Sequence, residues 1–255
     1  MSGQPTRIQS VTRAASALEF VATDPAGHTV GEVAAAVGVP LPTAYHLLNT
    51  LVDAGFLAKS EGRRYQLGAR IGLLAEAFLA QMSAPHHLME HVRGLAHRTG
   101  ETAYLSAWRN GDATLLSVVE GHRAVRVAGL HVGYAGVTHA RASGKVLLAS
   151  GPPGTLERYL ASHDIASQAR RGPGCAEALR RELERVREQG YAIDEEEFSE
   201  GVACIAAPVV DGAIALGIST PVERYQAMKA ELVSAVVSFA AKARSFASAP
   251  VERAS

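Results

Sequence analysis

Two amphipathic helices joined by a tight, proline-bracketed turn set narrow limits on what the start of this chain can become. Val30, Val33, Ala34 and Val37 recur at helical spacing, with Thr29 and Glu32 placed as a capping box and Gly38 as the stop. Pro40 and Pro42 bracket the turn, and Pro42 suits a first helical position, where the missing N–H is not needed. Ala44, Leu47, Leu48, Leu51 and Val52 then follow at i, i+3, i+4, i+7 and i+8, up to Gly55. An earlier helix carries Val11, Ala14, Ala15, Leu18, Val21 and Ala22 until Asp24-Pro25-Ala26-Gly27 stops it. Downstream, residues 56–59 and 64–67 read as a hairpin around Ser60-Glu61-Gly62-Arg63.

Helix, tight turn, helix and hairpin, in that order over residues 1–68, is the plan of a winged helix-turn-helix. Its second helix presents solvent-facing side chains to base edges in the major groove. The apolar stripe on that helix leaves Thr43, Tyr45, His46, Asn49 and Thr50 facing outward. Asn49 suits an adenine edge, and Thr43 a phosphate or a thymine methyl. Lys59, Arg63 and Arg64 on the wing, with Arg7 and Arg13 before and within the first helix, are candidates for holding phosphates. The competing reading is a helical bundle with a merely solvated polar face, and the consistent caps and turn argue against it. Charge tempers the expectation. The chain has 25 Lys+Arg against 25 Asp+Glu. Within residues 1–68 the balance is five (7, 13, 59, 63, 64) against five (19, 24, 32, 53, 61). One copy of such a head binds weakly, so dimerisation is expected.

Residues 69–84 form a further helical pattern, with Ile71, Leu74, Ala75, Phe78, Leu79 and Met82 on one stripe and no adjacent segment to cover it. A connector helix that pairs with another subunit is the simplest reading. From residue 85 to 250 hairpins alternate with helices. Asn110-Gly111 joins residues 102–109 to 112–120, and Asp211-Gly212 joins 204–210 to 213–219. Helical patterns cover residues 142–150, 156–162, 175–189 and 221–246. The expected class is α+β with a largely antiparallel sheet. No apolar run approaches the ~20 residues that span a bilayer, and the N-terminus lacks a signal peptide's apolar core. With two cysteines, Cys175 and Cys204, a cytoplasmic protein that makes no membrane contact is expected.

Several stretches resemble the IclR family of bacterial transcriptional regulators. They are Gly38-Val39-Pro40-Leu41-Pro42-Thr43-Ala44-Tyr45-His46-Leu47-Leu48, and Leu51-Val52-Asp53-Ala54-Gly55-Phe56-Leu57. Further along stand His139-Ala140-Arg141-Ala142-Ser143-Gly144-Lys145-Val146-Leu147-Leu148-Ala149 and Gly190-Tyr191-Ala192-Ile193-Asp194-Glu195-Glu196-Glu197. Gly201-Val202-Ala203-Cys204-Ile205-Ala206-Ala207-Pro208-Val209 completes the set. The resemblance implies a winged helix-turn-helix domain, a connector helix and a GAF-like effector-binding domain. It also implies homodimers, often paired into homotetramers, that repress or activate transcription at double-stranded operator DNA. This chain has Pro42-Thr43 and His46 where the family often has Ser-Thr followed shortly by Arg, so the operator preference does not carry over.

The family's ligand-contact positions fall on Ala142 and Ser143, whose backbone N–H groups near a helix start suit a carboxylate, and on Asp194, Cys204, Gly217 and Ser219. Gly217 replaces a serine found in relatives that bind small oxo-acids, and Ala135 and Gly136 stand where those relatives carry larger apolar side chains. The expected effector is therefore bulkier and more apolar than a two- or three-carbon acid, a carboxylate or a hydrophobic or aromatic metabolite.

Other motifs have plainer readings. The run from Asp194 to Glu197, with Glu200, reads as a solvated acidic loop from which Asp194 alone points inward. Cys204 with His139 and Asp194 invites a nucleophile reading, but a lone buried Cys is more often packing. His86, His87, His91 and His97 cluster, with His87 and His91 at i, i+4, and read as surface histidines. Tyr104 and Trp108 share a strand face as core or pocket wall. Gly144-Lys145 lacks the glycine spacing of a phosphate loop. No catalytic residue, metal site or cofactor is expected. The rival expectation is a small-molecule enzyme with an N-terminal dimerisation module.

Overall fold

The computed structural model describes residues 8–247 except 61, 82–83, 126, 128, 169–170 and 211. The chain divides after Gln81 into two compact units, taken in turn.

In the first unit, α1 (Gln9–Val21), α2 (Val30–Val37) and α3 (Leu41–Asp53) close around Ala17, Val21, Val33, Leu48 and Leu51. The capping box forms: Thr29 N–H donates to Glu32 Oε2 at 2.6 Å, and Glu32 N–H to Thr29 Oγ1 at 3.4 Å. Gly38 ends α2 in the left-handed region (φ 70), which a side chain would strain. α3 begins at Leu41, so Pro42 is its second residue and not the first, still in the first turn where no N–H is needed. The hairpin pairs β2 (Leu57–Lys59) with β3 (Arg64–Leu67) and anchors on fully buried Tyr65. A two-residue strand, β1 (His28–Thr29), adds to the other edge of β3, giving the order β1-β3-β2. α4 (Ala69–Gln81) buries none of its residues and leaves Leu73, Leu74, Phe78 and Leu79 exposed. Met82 and Arg7 lie outside the described residues.

The second unit is a five-stranded antiparallel sheet of order β5-β4-β8-β7-β6 between two helical layers. β4 (Thr102–Arg109) and β5 (Asp112–Val119) meet at Asn110 and Gly111, both at positive φ as a two-residue hairpin turn requires. β7 (Val202–Val210) and β8 (Ile214–Pro221) form the second hairpin, and β6 (Ala192–Glu195) is an edge strand. α5 (His86–Thr99) and α10 (Val222–Ala247) cover one face, packing on Ala203, Ile205, Ala207 and Val209. α6 (Ala142–Ser150), α7 (Thr155–Ser162) and α9 (Ala176–Gln189) cover part of the other, against Ala192, Ala206 and Ala215. α8 (Ile165–Gln168) is a four-residue helix beside α7 in sequence. A 3-10 turn at Thr138–Ala140 leads into α6, whose Gly144 packs so closely on it that a Cβ would meet the Thr138 carbonyl oxygen at 1.9 Å. The α+β class, with an N-terminal winged helix-turn-helix, is as expected.

Candidate functional site

On the first unit, α3 turns Thr43, Tyr45, His46, Asn49 and Thr50 to solvent, all five as the stripe predicts. Arg13 of α1 is exposed and borders the groove lined by Thr43, His46 and Thr50. A cation therefore stands beside the polar face of α3. Two side chains differ from expectation. Thr50 Oγ1 donates back to His46 O at 2.8 Å, so its hydroxyl proton is spent within the helix. Arg64 is turned into its own unit, where Nε donates to Gly27 O at 2.9 Å and Nη2 lies 3.6 Å from Glu32. It braces the wing against β1. Lys59 and Arg63 remain exposed.

The second unit contains a cavity of about 540 Å³, part of it open to solvent. Sheet register builds its polar floor. Asp194 of β6 pairs with Cys204 of β7, and Cys204 with Ser219 of β8, so three of the expected residues form one row across three strands. Cys204 Sγ donates to Ser219 Oγ at 3.4 Å. Asp194 Oδ1 accepts from the N–H groups of Glu197 (2.9 Å) and Phe198 (3.3 Å). Burial nevertheless pushes its carboxyl up to about 7, with the nearby Glu197 carboxylate adding to the effect. Tyr104 of β4 and Leu115 of β5 extend the floor. Val127, Leu130 and Tyr134 from the β5–α6 connection, and Phe198 from the turn after β6, supply apolar walls. Arg141, just before α6, is the cation on the wall.

The other expected effector residues sit elsewhere. Ala142 and Ser143 are buried in the first turn of α6, and neither lines this cavity. Ala135 is exposed on the connection, and Gly136 turns it at φ 107. Gly217 lies under the Tyr104 ring: a Cβ there would stand 2.8 Å from Tyr104 Oη, so the room left by the glycine is filled by tyrosine. Sequence reasoning missed Arg141, Tyr134 and Phe198 as cavity residues. Tyr104 proves to line the cavity, while Trp108 packs against Tyr159.

The acidic run is more than a solvated loop. Glu197 and Glu182 pair with Lys145 Nζ at 2.5 and 3.4 Å, and Lys145 is fully buried. Glu196 binds Arg171 at 2.7 Å and accepts from Gly201 N–H at 2.9 Å. Gly144-Lys145 is thus a structural pair, a close-approach glycine and a buried anchor. His139 Nδ1 lies 2.7 Å from Tyr159 Oη, away from Cys204, and burial pushes the Cys204 thiol up to about 12. A thiol kept protonated by burial is a poor nucleophile. His86, His87 and His97 are exposed on α5. Among the described residues no group of three or more His, Cys, Asp or Glu side chains is placed to hold a metal. Among them, too, no helix is long and apolar enough to cross a membrane.

A winged helix-turn-helix and a sheet-borne cavity with a polar floor, in one chain, define a ligand-responsive DNA-binding regulator. The family model of the IclR helix-turn-helix domain matches residues 10–61, and that of the bacterial transcriptional regulator IclR C-terminal domain matches 77–246. The chain belongs to the IclR family; it is a transcriptional regulator with an effector-binding domain and not an enzyme. It is similar to the HTH-type transcriptional regulator BhcR of Paracoccus denitrificans, 32% identical over 249 residues, which cover 95% of this chain and 88% of that one. The glycerol operon regulatory protein of Streptomyces griseus is 33% identical over 241 residues, covering 90% and 92%. In fold the chain resembles an IclR homolog from Microbacterium hydrocarbonoxydans complexed with 4-hydroxybenzoate. The TM-score is 0.68 at 22% identity, over 92% of this chain and 98% of that one.

Proposed function

We propose that this regulator acts in the cytoplasm as a dimer, or a dimer of dimers, that reads paired operator half-sites through α3. Asn49, Thr43, Tyr45 and His46 would meet base edges, with Arg13, Lys59 and Arg63 on phosphates. The carrying observation for the reading head is the open polar face of α3 with Arg13 beside it. Self-association draws support from α4, whose four large apolar side chains have no cover within their own unit.

The effector binds in the cavity over the row Asp194, Cys204 and Ser219. It is a small metabolite with an apolar body larger than that of a two- or three-carbon acid. Support for that size comes from the apolar walls Leu115, Val127, Leu130, Tyr134 and Phe198. The Microbacterium homolog, with its 4-hydroxybenzoate, offers a ligand of this build in the same fold. Effector binding favours one arrangement of the sensor domains, and α4 passes that bias to the spacing of the two recognition helices. The shift in operator affinity equals the effector's differential affinity for the two arrangements.

Fluorescence anisotropy with DNA from upstream of the regulator's own gene, against random competitor, tests this. A specific complex is expected that Asn49→Ala weakens about 10-fold or more and that a ligand of the cavity strengthens or releases. No specific binding at low salt, with Asn49→Ala unchanged from wild type, would end the reading of α3.

A further inference from the structure

The buried charges of the second unit come in two kinds. Lys145 faces Glu182 and Glu197, and Glu101 faces Arg224 at 2.7 Å and Arg123 at 3.2 Å. These charges are neutralised in place. Arg141 is not. It is 6% exposed, and its Nη1 donates to the carbonyls of Ala113 (2.9 Å) and Gly136 (3.3 Å). Its guanidinium carbon sits 4.9 Å from the centre of the Tyr134 ring. All these partners are neutral, and among the described residues no carboxylate lies within 4.0 Å of it.

A buried cation without a counter-ion is costly unless something else supplies the negative charge. Arg141 lines the effector cavity, so an anionic group bound there would lie against its guanidinium. The arginine also immediately precedes α6, whose first backbone bond runs from Lys145 N–H to Arg141 O. Asp194 in the same cavity disfavours a dianion, and the apolar walls disfavour a phosphate. What remains is a monoanion on an apolar body.

We propose that Arg141 is the specificity-determining residue of the effector site: it receives the carboxylate of an organic acid whose apolar body lies against Leu115, Val127, Leu130 and Phe198. The proposal rests on the cavity being the effector site. It adds that the ligand's charge, and not only its shape, is read there.

The test is calorimetric titration of the full chain with two probes of one shape, benzoate and its neutral counterpart benzamide. Phenylacetate and cyclohexanecarboxylate serve as further acids. Wild type is expected to prefer benzoate by about 10- to 100-fold, the worth of a charge-assisted hydrogen bond. In Arg141→Gln that preference should collapse to within a few-fold. In Arg141→Lys, which keeps the charge without the planar fork, it should be intermediate. Thermal melts verify that each variant is folded, and the lysine variant serves if the glutamine variant is not. Leu115→Trp, which fills the cavity, separates the two levels. If it abolishes benzoate binding but Arg141→Gln leaves the acid preference intact, the arginine assignment is overturned and the cavity reading stands. If benzoate binds Leu115→Trp as it binds wild type, the cavity reading itself fails. If wild type at millimolar acid binds none of the panel, or binds benzamide as well as benzoate, the proposal is wrong.

Discussion

Asp194 is one carboxyl that the fold has made expensive to ionise. Burial, with the Glu197 carboxylate close by, holds its pKa at about 7 against an ordinary 3.8. The folded state therefore keeps a proton that the unfolded chain gives up near pH 4. Stability is highest below that point, falls as pH rises between about 4 and 7, and levels off above 7. Each pH unit in that window removes up to about 1.4 kcal/mol. Glu197, also raised mainly by burial, adds a slope of the same sign, while Lys145 between the two acids works against both. Asp194→Asn keeps an oxygen for the Glu197 and Phe198 N–H groups and loses the titration. Thermal melts from pH 5 to 8 should show a shallower decline in the variant than in wild type. An equal decline would mean that Asp194 is ordinarily ionised. Gly217 makes a second residue-scale prediction. A methyl there meets Ile205 O at 2.6 Å and Tyr104 Oη at 2.8 Å, and one of these is backbone that cannot rotate away. Gly217→Ala should destabilise the second unit by about 1–3 kcal/mol and tilt Tyr104 into the cavity, seen as a lower melting temperature together with weaker ligand binding.

At the scale of elements, what is legible in the sequence is what is decided locally. α2 and α3 are written in caps, prolines and a glycine within a few residues of each end, and each appears with the predicted face buried. The hairpin at Asn110-Gly111 is equally local. β1 is not: His28 and Thr29 become a strand only by meeting Tyr65 and Arg64, and nothing in a dipeptide announces that partner. The same reasoning explains Arg64, whose hydrogen bond to Gly27 spans a loop closure that no spacing rule reveals. In the cavity, Asp194, Cys204 and Ser219 come from the resemblance, and the strand register sets them in one row. Val127, Leu130 and Tyr134 lie in an irregular connection with no period to read. Arg141 stood inside a matched motif, but its type points to a cavity only once the wall around it is known. α4 is the element whose sequence and structure agree on a gap, an apolar face with no cover in its own unit. If that face is the subunit contact, Leu74→Glu with Phe78→Glu, one turn apart on it, should convert the dimer to monomer in sedimentation. The winged-helix core, which uses neither residue, should melt as before. A dimer that survives both charges would move the contact elsewhere.

For the whole molecule the decisive quantity is where its balanced charges sit. Five cations against five anions in residues 1–68 give the reading head no net attraction for DNA. The fold reduces the available set further, because Arg64 is committed to Glu32 and Gly27. Among the described residues, Arg13, Lys59 and Arg63 are left as phosphate candidates. A dimer then presents about six such contacts, and counterion release predicts log K falling against log salt with a slope of about −5. Removing Arg13, Lys59 or Arg63 removes two contacts per dimer and should lower that slope by about 2. Arg64→Ala should leave the slope unchanged and appear instead as a less stable wing. The ordering matters more than the absolute value. If Arg64→Ala lowered the slope as much as Arg63→Ala did, the arginine would be leaving its brace to meet DNA. With so few contacts, binding to random DNA should vanish early as salt rises. Operator binding, carried by two correctly spaced recognition helices, should persist beyond it. Anisotropy titrations of operator and scrambled duplex across the same salt series measure both curves, and curves that fall together would show that the protein binds by bulk charge after all.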